Sequence, residues 1–214
     1  MLVACWSSKG GASTTVVAAA LALVCADREG GALLADLAGD LPAVLGAAEA
    51  HGPGLAGWLA AGDDVPVDAL ARLEEPVAPG VGLLHRGAGP LQPERGDVLG
   101  ALLGSDPRLV VVDCGTAPDG AARTIAAGAD RSILVTRACF VSLRRAIEAP
   151  VRPSHVVLVA EPGRSITRHD IETYIGVPVV AVVDVDPAVA RAVDAGLLAT
   201  RLPRGLAREL RRAA

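Results

Sequence analysis

Apolar residues in this chain fall into short unbroken runs, each closed by glycine, proline or a charged residue. Such runs predict strands buried on both faces, as in the centre of a parallel sheet. Met1–Trp6 is the first. Val16–Ala26 is long enough for about three helical turns, and Gly30-Gly31 separates it from a second strand, Ala32–Ala35, which ends at Asp36. Gly52–Ala71 is punctuated by Gly and Pro and predicts short helices around Leu55–Ala60 and Val67–Leu73. Val81–His85 predicts a third strand and Pro93–Leu103 a helix. Further strands are predicted at Arg108–Asp113, Asp130–Arg137, His155–Ala160 and Val177–Val183, with a basic helix at about 203–212. No repeat, low-complexity tract or linker divides the 214 residues. The alternation therefore predicts one α/β domain over residues 1–214, a single doubly wound, mostly parallel sheet with helices on both faces.

The junction of the first strand and first helix carries the chemistry. It reads Cys5-Trp6-Ser7-Ser8-Lys9-Gly10-Gly11-Ala12-Ser13-Thr14-Thr15. A strand, a glycine-rich turn and a helix in that order form a phosphate cradle. Gly10 and Gly11 let the backbone approach an anion, and the helix start aims unpaired N–H groups and a positive dipole end at it. Thr15 sits where a hydroxyl can reach Mg²⁺. Lys9 is the only lysine beside nineteen arginines, and the expectation is a position that needs a compact ammonium rather than a planar guanidinium. Asp113 ends the best apolar run, at the strand terminus where α/β sheets bind ligands.

Lys9, Gly10, Gly11 and Thr15 resemble the deviant phosphate loop of the ParA/MinD family of partitioning and positioning ATPases, K-G-G-x-G-K-T-T. Ser13 stands where a Gly is usual, Thr14 where the second Lys is usual, and Val16 where the last Thr is usual. Thr14 is similar to the CpaE/TadZ branch of pilus-assembly positioning proteins, K-G-G-x-G-T-T-T. Asp36–Pro42 resembles switch I, with Ala38 in place of its second carboxylate and Asp40 able to substitute for it only if the loop is shifted. Arg108–Asp113 resembles a Walker B strand and Cys114–Pro118 switch II. Asp130–Arg137 with Ser142–Ala146, and Asp184–Gly196, resemble later family segments in the right order.

The resemblance implies ATP and Mg²⁺ as cofactors. It places the nucleotide on Lys9, Gly10, Gly11, Ala12, Ser13, Thr14 and Thr15, with Asp186 beside the base and Thr15 and Asp113 on the metal. It makes Lys9 and Asp36 the catalytic pair, Lys9 reaching a partner subunit's phosphates in a homodimer that recruits a protein of a positioning system. Ala160-Glu161-Pro162 stands where an Asn commonly reads adenine. Phosphoryl transfer needs charge stabilisation and a positioned water, so Thr14 and Ala38 imply weak turnover or none.

Composition narrows the picture. The chain is 51% apolar with 2% aromatic residues, so Val, Leu and Ala fill the core. A net charge of −4 argues against a general nucleic-acid coat. Residues 1–136 carry 8 basic and 16 acidic groups, residues 137–214 carry 12 and 8, so an anionic partner would prefer the C-terminal third. There Leu206 and Leu210 lie at i, i+4, with Arg204, Arg208, Arg211 and Arg212 on another face. Such a helix contacts anionic membrane or nucleic acid, or docks on its own domain. Cys5, Cys25, Cys114 and Cys139 show no metal spacing and read as buried small hydrophobes, and His85 reads as structural. Thr14–Ala26 has signal-peptide length but lacks a basic segment before it, and it is too short to span a bilayer. The expectation is a cytoplasmic chain, with peripheral contact at a membrane or cell pole at most. Two alternatives stand beside a nucleotide switch: a nucleotide-free pseudo-ATPase scaffold, and an ATP-dependent ligase, which would need more polar residues near the switches.

Overall fold

The computed structural model describes residues 1–26, 30–48, 51–62, 65–66 and 68–213. Among them one sheet contains β1 Leu2–Ser7, β2 Ala32–Asp36, β3 Glu74–Ala78, β4 Val81–Leu84, β5 Leu109–Thr116, β6 Arg131–Arg137, β7 His155–Ala160 and β8 Val179–Asp184. The order across it is β3-β4-β2-β5-β1-β6-β7-β8. Every neighbouring pair is parallel except β3 with β4. The doubly wound, mostly parallel sheet expected from the apolar runs is the sheet found.

The helices are α1 Thr14–Cys25, α2 Leu41–Leu45, α3 Gly54–Ala60, α4 Gly96–Ser105, α5 Gly120–Gly128, α6 Phe140–Glu148, α7 Arg168–Ile175, α8 Pro187–Asp194 and α9 Arg204–Leu210. Helices α1, α2, α8 and α9 cover one face of the sheet, packing Val17, Leu21, Leu41, Leu198 and Leu210 against Leu34, Val111 and Val135. Helices α3 to α7 cover the other, packing Leu55, Leu99, Ile125 and Leu143 around Trp6, Val112 and Leu134. Helix α1 is apolar all round because it lies between the sheet and α9, the composition expected of a fully enclosed helix. Its alanines, Ala18, Ala19, Ala20 and Ala22, are buried and keep both neighbours close.

Three elements depart from the expected pattern. Strand β3 reads Glu-Glu-Pro-Val-Ala, without an apolar run. It forms because it is an edge, where Pro76 costs no ladder bond, and because Arg108 grips both oxygens of Glu74 at 2.7 and 2.9 Å. Helix α7 has one buried residue, Ile171, and depends on a capping box between Thr167 and Asp170. The helix expected around Val67–Leu73 is a 3₁₀ turn at Ala71–Leu73, and Val67 lies outside the described residues. In the tail, α9 is docked on the domain. Leu206, Ala207 and Leu210 are buried, while Arg208 and Arg212 pair with Glu209. The two leucines that could have entered a bilayer are thus committed to the core.

Candidate nucleotide site

Parallel order places the C-terminal ends of β1, β2 and β5 side by side, at the point where the sheet's winding reverses. The register sets Asp36 opposite Asp113, and Asp113 opposite Cys5, in one row across three strands. Above that row lies a cleft of about 1000 Å³, lined by Gly11 to Val16, by Leu37, Ala38 and Asp40, and by Cys114 to Thr116. Such crevices at strand ends are where open α/β sheets take ligands.

The phosphate loop has the backbone its glycines suggest, plus one turn that they do not explain. Gly11 has φ +77° and Ser13 φ +67°. The left-handed conformation costs a non-glycine residue roughly 1–2 kcal/mol, so Ser13 holds by strain a shape that glycine would hold freely. Ser13 also makes no side-chain cap on α1, whose first turn has no acidic residue. The opening N–H groups of α1 are therefore left for an external anion. We expect Ser13→Gly to raise stability by about 0.5–1 kcal/mol, the strain relieved less the added chain entropy. A higher urea midpoint checks this; a lower one would mean that the hydroxyl contributes a bond of its own.

The two carboxylates differ sharply. Asp36 is buried, and both its oxygens are taken by backbone donors: Oδ1 accepts from Ala38 at 3.0 Å and Gly39 at 2.6 Å, and Oδ2 accepts from Leu41 at 3.0 Å. It folds the following loop and starts α2. Burial raises its pKa, and those three donors oppose the rise. Asp113 is equally buried, with Oδ1 accepting from the Gly115 N–H at 3.0 Å. Its Oδ2 is enclosed, and among the described residues no donor stands within hydrogen-bond distance of it. Burial pushes the Asp113 carboxyl up to about 6, against the Thr15 side chain and the Gly115 amide, while the charges of Asp36 and Asp40 add to the rise. An orphaned, charge-starved oxygen next to a helix-start hydroxyl fits a divalent cation. Mg²⁺ normally takes one or two protein ligands and keeps waters and phosphate oxygens for the rest.

Other expected residues are placed as follows. Thr14 and Thr15 line the cleft, whereas Lys9 and Gly10 stand outside its lining. Lys9 is half-buried, its Nζ reaches only the Gly10 carbonyl at 3.5 Å, and no acidic partner faces it among the described residues. Asp186 is not brought into the cleft: its carboxylate caps α8, accepting from the Ala188 N–H at 2.7 Å. Helix α8 reaches the cleft through Val193, held there where Gly46 and Gly196 bring the ends of α2 and α8 into backbone contact. His85 is buried. Cys139 departs from the expected buried hydrophobe. It stands half-buried before α6, and hydrogen bonds from Ser142 hold its thiol below the usual range.

One cleft residue had no signal in the sequence. Arg86 follows β4 and lines the cleft, donating to the Leu37 and Gly89 carbonyls at 3.3 Å each. It has no acidic partner among the described residues, so it adds a cation to a cleft in which Thr14 replaces an expected lysine.

The architecture is that of the ParA/MinD P-loop NTPases. Solved structures sharing it include a ParA family ATPase from Chlorobium tepidum, with a TM-score of 0.82 and 23% identity over 98% of this chain and 96% of that one. The septum site-determining protein MinD from Pyrococcus horikoshii, complexed with Mg-ADP, matches at a TM-score of 0.79 and 20% identity over 99% and 94%. The MinC:MinD complex of Aquifex aeolicus gives 0.79 and 17% over 99% and 95%. No protein-family model matches the chain, and no curated protein matches its sequence. Among the described residues no helix is long and apolar enough to cross a membrane.

Proposed function

We propose that this protein is an ATP- and Mg²⁺-binding positioning factor of ParA/MinD type, nearest the CpaE/TadZ pilus-assembly branch, with weak or no hydrolysis. The observation that carries the reading is the pairing of an uncapped α1 N-terminus with the orphaned Asp113 oxygen across one cleft. The N–H groups of residues 11–15 would hold phosphate. Thr15 and Asp113 would hold Mg²⁺, which supplies charge neutralisation to the phosphates. Lys9, with no acidic partner among the described residues, would reach a second subunit's nucleotide, so ATP would control homodimerisation and the recruitment of a protein partner. Thr14 removes one phosphate-facing charge and Ala38 one water-holding carboxylate. Arg86 offsets part of the first loss.

Calorimetry with ATP and Mg²⁺, run beside sizing, tests this. Micromolar binding with ATP-linked dimerisation is expected, and Lys9→Ala should abolish the dimerisation while leaving stability within about 0.5 kcal/mol, as for other surface changes. Absence of binding at millimolar ATP would sink the reading. It would favour a nucleotide-free scaffold, to which the full commitment of Asp36 to backbone donors lends support.

A further inference from the structure

The chain contains no asparagine, and its single glutamine, Gln92, follows β4. A carboxamide side chain suits adenine, because one amide offers both the donor and the acceptor that the N6 and N7 edge of that base demands. On the proposed function the triphosphate lies along residues 11–15 with its metal at Asp113, so its charged end points toward β5 and β2. The nucleoside then leaves on the other side of β1, toward β6, β7 and α8. Gln92 is on the wrong half of the sheet for it, since β4 stands beyond β2 in the strand order. No amide side chain meets the base.

The ends of β6 and β7 carry Arg137 and Glu161 instead. Strand alternation puts Arg137 on the face of Ile133 and Val135, the face that α1 and α8 cover. Strand β7 is two places from β1, roughly 10 Å away, and both residues stand just past the lined part of the cleft. Glu161 is held at Oε1 by Arg137 and at Oε2 by Arg164, whose Nε donates at 2.7 Å. Arg137 is less fully met: its Nε is enclosed and, among the described residues, has no acceptor within hydrogen-bond distance. A buried donor left in that state is costly, and a ligand acceptor would relieve it. Neighbouring groups are already engaged. Asp186 accepts from the Ala188 N–H at 2.7 Å. The Val185 N–H donates to the Ala160 carbonyl at 3.0 Å, and the Cys139 N–H to the Arg137 carbonyl at 2.8 Å.

A guanidinium only donates. Guanine meets it with two acceptors, O6 and N7, whereas adenine sets an N6 amino group beside its N7, donor against donor. The apolar walls at this end of the cleft, Val16, Val44 and Val193, treat both purines alike. We propose that Arg137 is the base-facing residue of the cleft and that GTP binds there at least as tightly as ATP. This rests on the proposed function, because it assigns the base end of a nucleotide held by the phosphate loop.

Calorimetry of the full chain with Mg²⁺ and either ATP or GTP tests this. The dissociation constant for GTP should equal that for ATP or lie up to about tenfold below it. Arg137→Gln puts a carboxamide at the same strand end and should move the ratio toward ATP by about fivefold or more, with a thermal melt to show that the variant is folded. ATP binding more than about threefold tighter than GTP in the parent protein would overturn the proposal and leave the nucleotide reading standing. A ratio unmoved in the folded variant would overturn the placement of Arg137 at the base. Binding of neither nucleotide at millimolar concentration would overturn the proposed function and this inference together.

Discussion

Ala38→Asp is expected to raise ATP turnover by about a hundredfold. On the proposed function Ala38 stands where a carboxylate would hold attacking water, with Asp40 of the same loop also lining the cleft, and one well-aimed group of this kind is worth about two orders of magnitude in rate. Position 38 can accept it. Its N–H is fixed by Asp36 at 3.0 Å, its side chain lines the cleft, and the adjacent Gly115, where a Cβ would stand 3.3 Å from that of Ala38, carries no side chain to crowd it. Phosphate release at saturating ATP and Mg²⁺ reads the effect. Turnover that stays flat while ATP binds would move the deficit to Thr14, and Thr14→Lys with Ala38→Asp should then restore it. If the double variant also stays flat, this cleft does not support hydrolysis.

Asp113→Asn should stabilise the nucleotide-free protein and, on the proposed function, weaken its Mg²⁺ binding. The folded carboxyl titrates near 6, above its ordinary value of 3.8. Between those values the folded state keeps a proton that the unfolded state has lost, so this group's contribution falls as pH rises from about 4 to 6. The displacement corresponds to about 3 kcal/mol at neutral pH, an upper bound because a buried site relaxes. The variant should therefore exceed the parent by about 1–3 kcal/mol at pH 7.5 and converge with it near pH 4. Asp106 and Glu161, whose pKa values are lowered by arginines, shift both proteins alike. Mg²⁺-dependent ATP affinity should fall by about tenfold or more in the variant. A variant less stable than the parent at pH 7.5 would show that the Asp113 oxygen is satisfied after all.

The parts of the site that could be read beforehand are those the chain writes contiguously. Residues 9–15, and the apolar strand ending at Asp113, are local patterns with a fixed consequence in an α/β sheet. Asp36 was legible as a position but not as a state, because its three donors come from a loop whose path depends on the carboxylate itself. Arg86 was not legible, since only the neighbouring of β4 and β2 brings it over the cleft. Strand β3 and helix α7 escaped notice for another reason: an edge and a solvent-facing helix need few apolar residues, so ion pairs and caps hold them instead. Cys139 lies between Ala138 and Phe140, as Cys5 and Cys25 lie between apolar residues, yet its helix-start position gives it a polar setting.

The central place of β1 also has a consequence in time. Its two neighbours in the sheet are β5 and β6, which begin at Leu109 and Arg131. At a synthesis rate of roughly 5–20 residues per second, the interval before those partners exist is of the order of 5–25 seconds. Until then Leu2–Ser7 is an apolar strand with both edges open, and the loop after it has no sheet to stand on. Over that interval the loop after β1 is made but not assembled, so the nascent chain must keep this apolar strand covered by other means until β5 and β6 have followed it.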